Sequence, residues 1–247
     1  MDKDIIKLLP QKAFKLLSVK ETFRIGANVT KSILNKTSYN HQYEKLQSNW
    51  PWQDIVLNTA IDTPKAVHSL EDGEKILRIY FSQFFGDNTA VHLDLRSSHF
   101  ASGTPFTWVP SRLHYDFSPD FKEGVQSLYI GFYQNDDKHF EAGLKLLGII
   151  RETMNDSQKD ALKALFYEHF GEGKTGSVKF SLSKLQSSFD AIFSYFIKED
   201  VPLNPEFAVL GINLVTLYLS LEKISSPINV SEVFFKVLAA KKSDSSN

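Results

Sequence analysis

Residues 69–86 have the sequence SLEDGEKILRIYFSQFFG, which predicts a regular amphipathic helix. Ser69 followed three residues later by Asp72 is typical of a helix start, because the two side chains can cap each other's backbone N–H groups. Gly86 is a typical helix end. The large apolar side chains in between recur at helical spacing and share one face. They are Ile76, Leu77, Tyr80, Phe81, Phe84 and Phe85.

The chain from residue 118 onward is predicted to be helical. Ser118-Pro119-Asp120 combines a capping residue with Pro at the first helical position, and Asn204-Pro205-Glu206 precedes a long apolar stretch. That stretch, Ala208–Leu221, would be about 21 Å long as a helix, whereas a hydrocarbon core is about 30 Å thick. We therefore predict a buried core helix here and a mainly α fold with a few short strands.

The segments on either side of residues 69–240 have a different character. Residues 1–35 are predicted to form an N-terminal helical extension, amphipathic over 10–35, where apolar positions alternate with Lys and Arg. Such a helix suits a solvated surface, and also suits a membrane surface or a partner protein. Residues 36–68 show little periodicity and predict a linker with a strand at Asp54–Leu57. Residues 241–247 predict a disordered tail.

Composition narrows the function classes. The 247 residues include 28 Lys+Arg, 29 Asp+Glu and no Cys. The balanced charge argues against a generally basic nucleic-acid binder, and we expect no nucleic-acid partner. The lack of Cys excludes disulfides, Cys-bound zinc and thiol catalysis, and it is compatible with the cytoplasm.

The most polar segment is 90–117, with short strands predicted at Ala90–His92 and Phe106–Val109. Imidazole and carboxylate side chains at alternate strand positions share a face and suit Zn, Fe or Mn. A metal-dependent hydrolase is therefore one hypothesis, although the spacing matches no known ligand signature and no metal is expected. Its candidate ligands are His92, Asp94, His99 and His114.

The sequence contains no complete nucleotide-binding motif. Residues 171–176, GEGKTG, lack the first Gly of a phosphate-binding loop, since that position is Glu168, and they follow a predicted helix instead of a strand. No Gly-rich dinucleotide fingerprint follows a predicted strand either.

The order of elements from residue 55 to residue 238 resembles the C-terminal lobe of the UbiB/AarF atypical kinase-like family. In that family a Phe-rich helix end leads into a His-x-Asp-x-His-Pro-Gly-Asn loop. A short strand and an Asp-Phe/Cys-Gly motif follow, and then a helical region. Here the Phe-rich end is 81–85, the His-x-Asp pair is His92 and Asp94, and the helical start is 117–119. The resemblance implies that residues 69–240 are the helical C-lobe of a protein-kinase-like fold.

The departures from the family pattern predict a degenerate site. Arg96 follows the His-x-Asp pair, and His99 stands where the metal-binding Asn belongs. Pro110-Ser111-Arg112 replaces the metal-binding Asp, and residues 36–66 are too few for a nucleotide-binding N-lobe, so we expect the N-lobe to be absent. Asp94 would then keep a structural task, with His92, Arg96 or Arg112 as its partner.

The sequence therefore predicts a non-catalytic, pseudokinase-like interaction or scaffold protein, with neither ATP nor Mg as cofactor. By analogy with the family, it would be linked to isoprenoid-lipid or membrane-associated metabolism. A protein partner is expected, with peripheral membrane association through residues 10–35 and a cytoplasmic location. Two alternatives stay open: the metal-dependent hydrolase, and the C-lobe of a split kinase-like ATPase whose N-lobe is a separate chain.

Overall fold

The computed structural model describes residues 11–61, 65–86, 90–174 and 176–244. Over these ranges the chain is mainly helical, as predicted. The helices are α1 (Gln11–Leu16), α2 (Val19–Leu34), α3 (Lys36–Ser48), α4 (Leu70–Phe85), α5 (Pro119–Gln134), α6 (Asp137–Leu146), α7 (Asp156–Phe170), α8 (Leu182–Lys198), α9 (Glu206–Leu221) and α10 (Val230–Asp244).

Five short strands form two small sheets. The strands are β1 (Ile55–Leu57), β2 (Ala90–His92), β3 (Phe100–Ala101), β4 (Phe106–Trp108) and β5 (His114–Asp116). In the larger sheet β4 lies in the centre, parallel to β1 and antiparallel to β3. In the smaller sheet β2 pairs with β5 in antiparallel register. Of these strands, β2 was predicted at its observed residues, and β1 and β4 within one residue.

The core surrounds α4 and α9. The helix predicted from residues 69–86 is present as α4, with reciprocal capping between Ser69 and Asp72 and an end at Gly86. Its predicted apolar face is buried, and Phe81 and Phe85 meet Phe234 of α10 edge-on. The predicted core helix is also present, because α9 is buried on nearly all sides. None of the described helices is long and apolar enough to cross a bilayer.

The pair α5–α6 packs unusually closely, which fixes the short turn between them. A Cβ atom on Gly131 would come within 2.2 Å of the Phe140 backbone nitrogen, and one on Gly143 within 2.6 Å of the Leu128 nitrogen. Both positions therefore require glycine. As predicted, α5 begins at the Ser118 cap with Pro at its first position.

The expected linker over residues 36–68 is wrong in its first part, since α3 occupies Lys36–Ser48. Apolar residues are sparse there, and its two buried side chains, Tyr39 and Leu46, lie seven residues apart. Local periodicity was therefore weak, and the helix depends on the Asn35 cap and on tertiary contacts such as the bond from Tyr39 Oη to the Pro110 carbonyl (3.0 Å).

The two chain ends also differ in part from expectation. The extension predicted over residues 10–35 is helical as α1 and α2, while residues 1–10 of that prediction lie outside the described residues. The predicted tail is wrong for residues 241–244, which continue α10. Residues 245–247 of the tail prediction lie outside the described residues.

Candidate functional site

All residues of the predicted site lie in the segment that begins with β2 and ends with β5. In the β2–β5 ladder His92 lies directly opposite His114, and their ring centroids are 6.0 Å apart. The chain leaves β2 through Asp94 and Arg96, turns at His99, and returns through residues 109–113.

Asp94 is buried, with 5% of its surface exposed, and its carboxylate is held by Arg96 and His99. Arg96 Nε lies 2.9 Å from Oδ1 and 3.1 Å from Oδ2, and Arg96 Nη2 lies 2.6 Å from Oδ2. The backbone N–H of Arg96 also donates to Oδ1 at 3.1 Å. On the other side, His99 Nε2 is 3.3 Å from Oδ2. Both carboxylate oxygens are therefore engaged within the protein.

Hydrogen bonding determines the electrostatics of this cluster. Burial acts to raise the pKa of the Asp94 carboxyl, but hydrogen bonds from His99 and Arg96 hold that pKa well below its usual range. His99 Nδ1 faces the Val109 carbonyl at 3.1 Å, so both ring nitrogens of His99 face oxygen acceptors. The cluster is a closed ionic lock around Asp94.

His92 is buried separately from that lock. Its Nδ1 lies 2.7 Å from the Ser111 carbonyl, and its ring meets the edges of Tyr39 and Trp108. Burial lowers the pKa of His92 to about 4. The neutral ring donates to Ser111 and serves as part of the core.

The structure therefore divides the four predicted metal candidates. Asp94 and His99 meet, whereas His92 bonds to Ser111 and His114 faces a different cleft, described below. Within the described residues, no three His, Asp or Glu side chains are arranged to hold a metal ion. Of the three partners predicted for Asp94, Arg96 is observed. Arg112 instead lies over the Tyr39 ring, 5.8 Å from its centroid.

A polar stripe on α9 holds the backbone of this loop, and sequence reasoning missed it. Asn213 Nδ2 donates to the His92 and Leu93 carbonyls, both at 3.2 Å. Thr216 Oγ1 donates to Leu93 O at 2.6 Å and accepts from Leu95 N at 3.1 Å, and Ser220 Oγ donates to Leu95 O at 2.6 Å. The available signal was three polar residues at helical spacing in an otherwise apolar helix.

A polar cleft of about 330 Å³ lies between α2, α3 and β5. His114 contributes its inner wall and is only 4% exposed. Ser38 from the first turn of α3 faces it, with Oγ 3.5 Å from His114 Nε2. Nothing in the sequence pattern connected these two residues.

The outward face of α2, defined here by Phe23, Ala27, Thr30 and Leu34, is a third candidate surface. Phe23 and Leu34 are each 77% exposed, the most exposed large apolar side chains of the described part of the chain. The opposite side of α2 is anchored in the protein through buried Ile25 and Ser32. Only part of the apolar surface of this helix is therefore covered.

The chain matches no protein-family model and no curated protein.

Proposed function

We propose that this protein is a helical docking module that attaches to an anionic membrane surface through the outward face of α2. We further propose that residues 69–240 are a degenerate kinase-like C-lobe of the UbiB/AarF type, in which the catalytic-loop positions hold the fold together instead of transferring phosphate. The implied location is the cytoplasmic side of a membrane, with a protein partner carried on the helical body.

The observation that carries the docking proposal is the pattern of α2. The residues of the outward face are spaced four, three and four apart, so they form one row along the helix. Lys20, Arg24 and Lys31 form a second row immediately beside it, and all three are exposed. The helix thus presents an apolar row bordered by cations.

The acidic residue of α2, Glu21, offsets only part of this charge, through Arg24. Glu21 is turned back to cap the helix, accepting from Ser18 N at 2.9 Å and from Ser18 Oγ at 2.7 Å. These bonds lower the pKa of Glu21. The exposed part of the helix is therefore complementary in charge to an anionic surface.

A lipid surface suits this geometry better than a protein groove does, because Phe23 and Leu34 project outward from a shallow surface floored by Gly26 and Ala27. Protruding apolar side chains beside Lys and Arg are typical of helices that lie in a membrane interface. Each cation adds about 1 kcal/mol near an anionic leaflet, and burial of an apolar side chain about 1.5–3 kcal/mol. The sum supports reversible attachment.

The lock around Asp94 supports the absence of phosphoryl transfer. In the resemblance Asp94 is the catalytic-loop carboxylate, and here Arg96 binds both its oxygens and His99 contacts one of them. The segment in place of the metal-binding Asp is used internally as well. Pro110 O accepts from Tyr39, and Ser111 O from His92. We therefore expect calorimetry to show no Mg-ATP binding tighter than about 100 μM, or about 5.5 kcal/mol.

Vesicle co-sedimentation tests the docking proposal. The chain should bind phosphatidylserine-containing vesicles and leave pure phosphatidylcholine vesicles in solution, and added salt should weaken the binding. Phe23→Ser should reduce the bound fraction, whereas the matched control Phe235→Ser, at a 41% exposed Phe of α10, should not. Lys20→Gln combined with Lys31→Gln should remove the preference for the anionic lipid.

Two results would contradict docking. One is equal binding by Phe23→Ser and by the wild type. The other is no vesicle binding combined with capture of an acidic amphipathic peptide, which would make the outward face of α2 a protein interface.

A further inference from the structure

The polar cleft between α2, α3 and β5 lies outside the lock around Asp94. Its walls carry hydroxyl, amide and imidazole groups, and its volume of about 330 Å³ is at the lower end for ligand pockets. The groups that matter are Asn35, Ser38 and His114.

The backbone determines which nitrogen of His114 carries the proton. Nδ1 lies 3.0 Å from the Arg112 carbonyl, which can only accept, so the neutral ring is protonated at Nδ1. Nε2 is then an acceptor, and it lies 3.5 Å from Ser38 Oγ. The ring is buried, which keeps this orientation. His114 is therefore arranged as a base for Ser38.

Ser38 is placed to act as a nucleophile. It is the third residue of α3, and its own N–H donates to the Asn35 side-chain oxygen at 3.0 Å. The side chain is partly exposed where it lines the cleft. The positive end of a helix dipole favours negative charge, so this position stabilises an oxyanion formed at or near Oγ.

We infer that Ser38 and His114 form a nucleophile–base pair that hydrolyses carboxylic esters with a small acyl group. This function goes beyond membrane docking and requires no metal. A serine, a base in contact with it and a third group that orients the base make up the general arrangement for nucleophilic catalysis. Here the third group is the Arg112 carbonyl.

The steps balance with water as the second substrate. Ser38 Oγ adds to the ester carbonyl carbon as its proton moves to His114 Nε2, and the side-chain amide of Asn35, which lines the cleft, is the donor for the oxyanion. Collapse breaks the ester C–O bond, and the leaving alkoxide takes the proton from Nε2. Water then attacks the acyl-Ser38 ester while Nε2 accepts its proton. The proton returns to Oγ as the carboxylic acid leaves.

A fluorophosphonate probe tests this pair on the full chain, because it forms a stable adduct with an activated serine. Mass spectrometry of peptides should locate the adduct on Ser38. The Ser38→Ala variant should not be labelled, whereas Ser48→Ala, a matched change at the exposed end of the same helix, should label like the wild type. Hydrolysis of p-nitrophenyl acetate should follow the same order.

The His114→Asn variant separates the base from the fold. Asn retains a donor for the Arg112 carbonyl but lacks Nε2, so we expect labelling of Ser38 to slow at least tenfold in a protein whose circular dichroism is unchanged. If that variant does not fold, the comparison of Ser38→Ala with Ser48→Ala still tests whether Ser38 is the reactive serine. Labelling of a serine other than Ser38, or none at all, would overturn the inference and leave the vesicle result unaffected.

Discussion

Two helices of equal length, α2 and α9, show how differently 16 residues can be used. In α9 apolar side chains surround the axis and nearly all are buried, and three of its polar side chains, Asn213, Thr216 and Ser220, bind the loop backbone. In α2 half the positions are polar, yet Phe23 and Leu34 lie uncovered on the surface. The less hydrophobic helix thus exposes more apolar surface. Arrangement of apolar side chains, more than their number, identifies the interface.

The largest expected effect comes from placing the same charge on each helix. Leu214 of α9 is 8% exposed and Leu34 of α2 is 77% exposed. Leu214→Asp buries a carboxylate with no partner at a cost that can exceed the stability of a whole domain, so we expect no folded protein. Leu34→Asp should stay within about 0.5 kcal/mol of the wild type. Soluble yield and thermal circular dichroism measure both, and a cooperatively folded Leu214→Asp would contradict the core placement of α9.

The contrast between the helices also shows what the sequence could and could not predict. Caps and apolar spacing are local, so α4, α5 and α9 were predicted within a few residues. Residues Lys36–Ser48 lack a strong apolar face, and their helix was missed because tertiary contacts stabilise it.

The candidate site was predictable only where its partners are close in sequence. Arg96 lies two residues from Asp94, and it was among the expected partners. The target of the α9 stripe is more than 100 residues away, and Ser38 and His114 are 76 residues apart. No local pattern can reveal such pairs, because the fold alone brings them together.

The next effect is a pH dependence arising in the core beside α9. The unfolded chain takes up a proton on His92 near pH 6.5, whereas the folded chain resists protonation until about pH 4. Stability should therefore fall as the pH drops from about 6.5 to about 4, by roughly 3 kcal/mol for this residue. Denaturant unfolding at several pH values measures the slope.

Two variants test whether His92 causes this pH dependence of the stability. His92→Asn retains a donor for the Ser111 carbonyl and should make the slope shallower without abolishing it, because burial also lowers the pKa of His169 to about 4. His41→Gln, which replaces a histidine at an exposed position of α3, is the matched control. An unchanged slope in His92→Asn would show that His92 is protonated in the folded protein as readily as in the unfolded one.

A smaller effect is expected from removing one hydroxyl from each helix. Thr216→Val keeps the shape of the side chain but leaves the buried Leu95 N–H without its acceptor, at a cost of about 2 kcal/mol. Thr30→Val, on the outward face of α2, should change the stability by less than about 0.5 kcal/mol. Chemical denaturation of the two variants gives the comparison. Equal costs would mean that the α9 stripe does not hold the loop.

The smallest effect concerns the lock itself, because α9 already holds the backbone around Asp94. Asp94→Asn keeps one oxygen acceptor for Arg96, replaces the other with an NH2 donor and removes the negative charge, and Arg96 is partly exposed to water. We expect a loss of about 1–2 kcal/mol at pH 7. The direction of the pH dependence follows from the lowered pKa of Asp94. The ionised carboxylate stabilises the folded protein at pH values above the ordinary pKa range of an Asp, and this stabilisation is lost in strong acid. The difference in stability between the two proteins should therefore begin to shrink below about pH 4 and disappear only in strong acid. A chelator separates the lock from the metal hypothesis, because a metal bound only to the folded state adds stability by mass action. The lock predicts the same melting temperature with and without chelator. A chelator-dependent decrease that disappears in Asp94→Asn would instead make Asp94 a metal ligand.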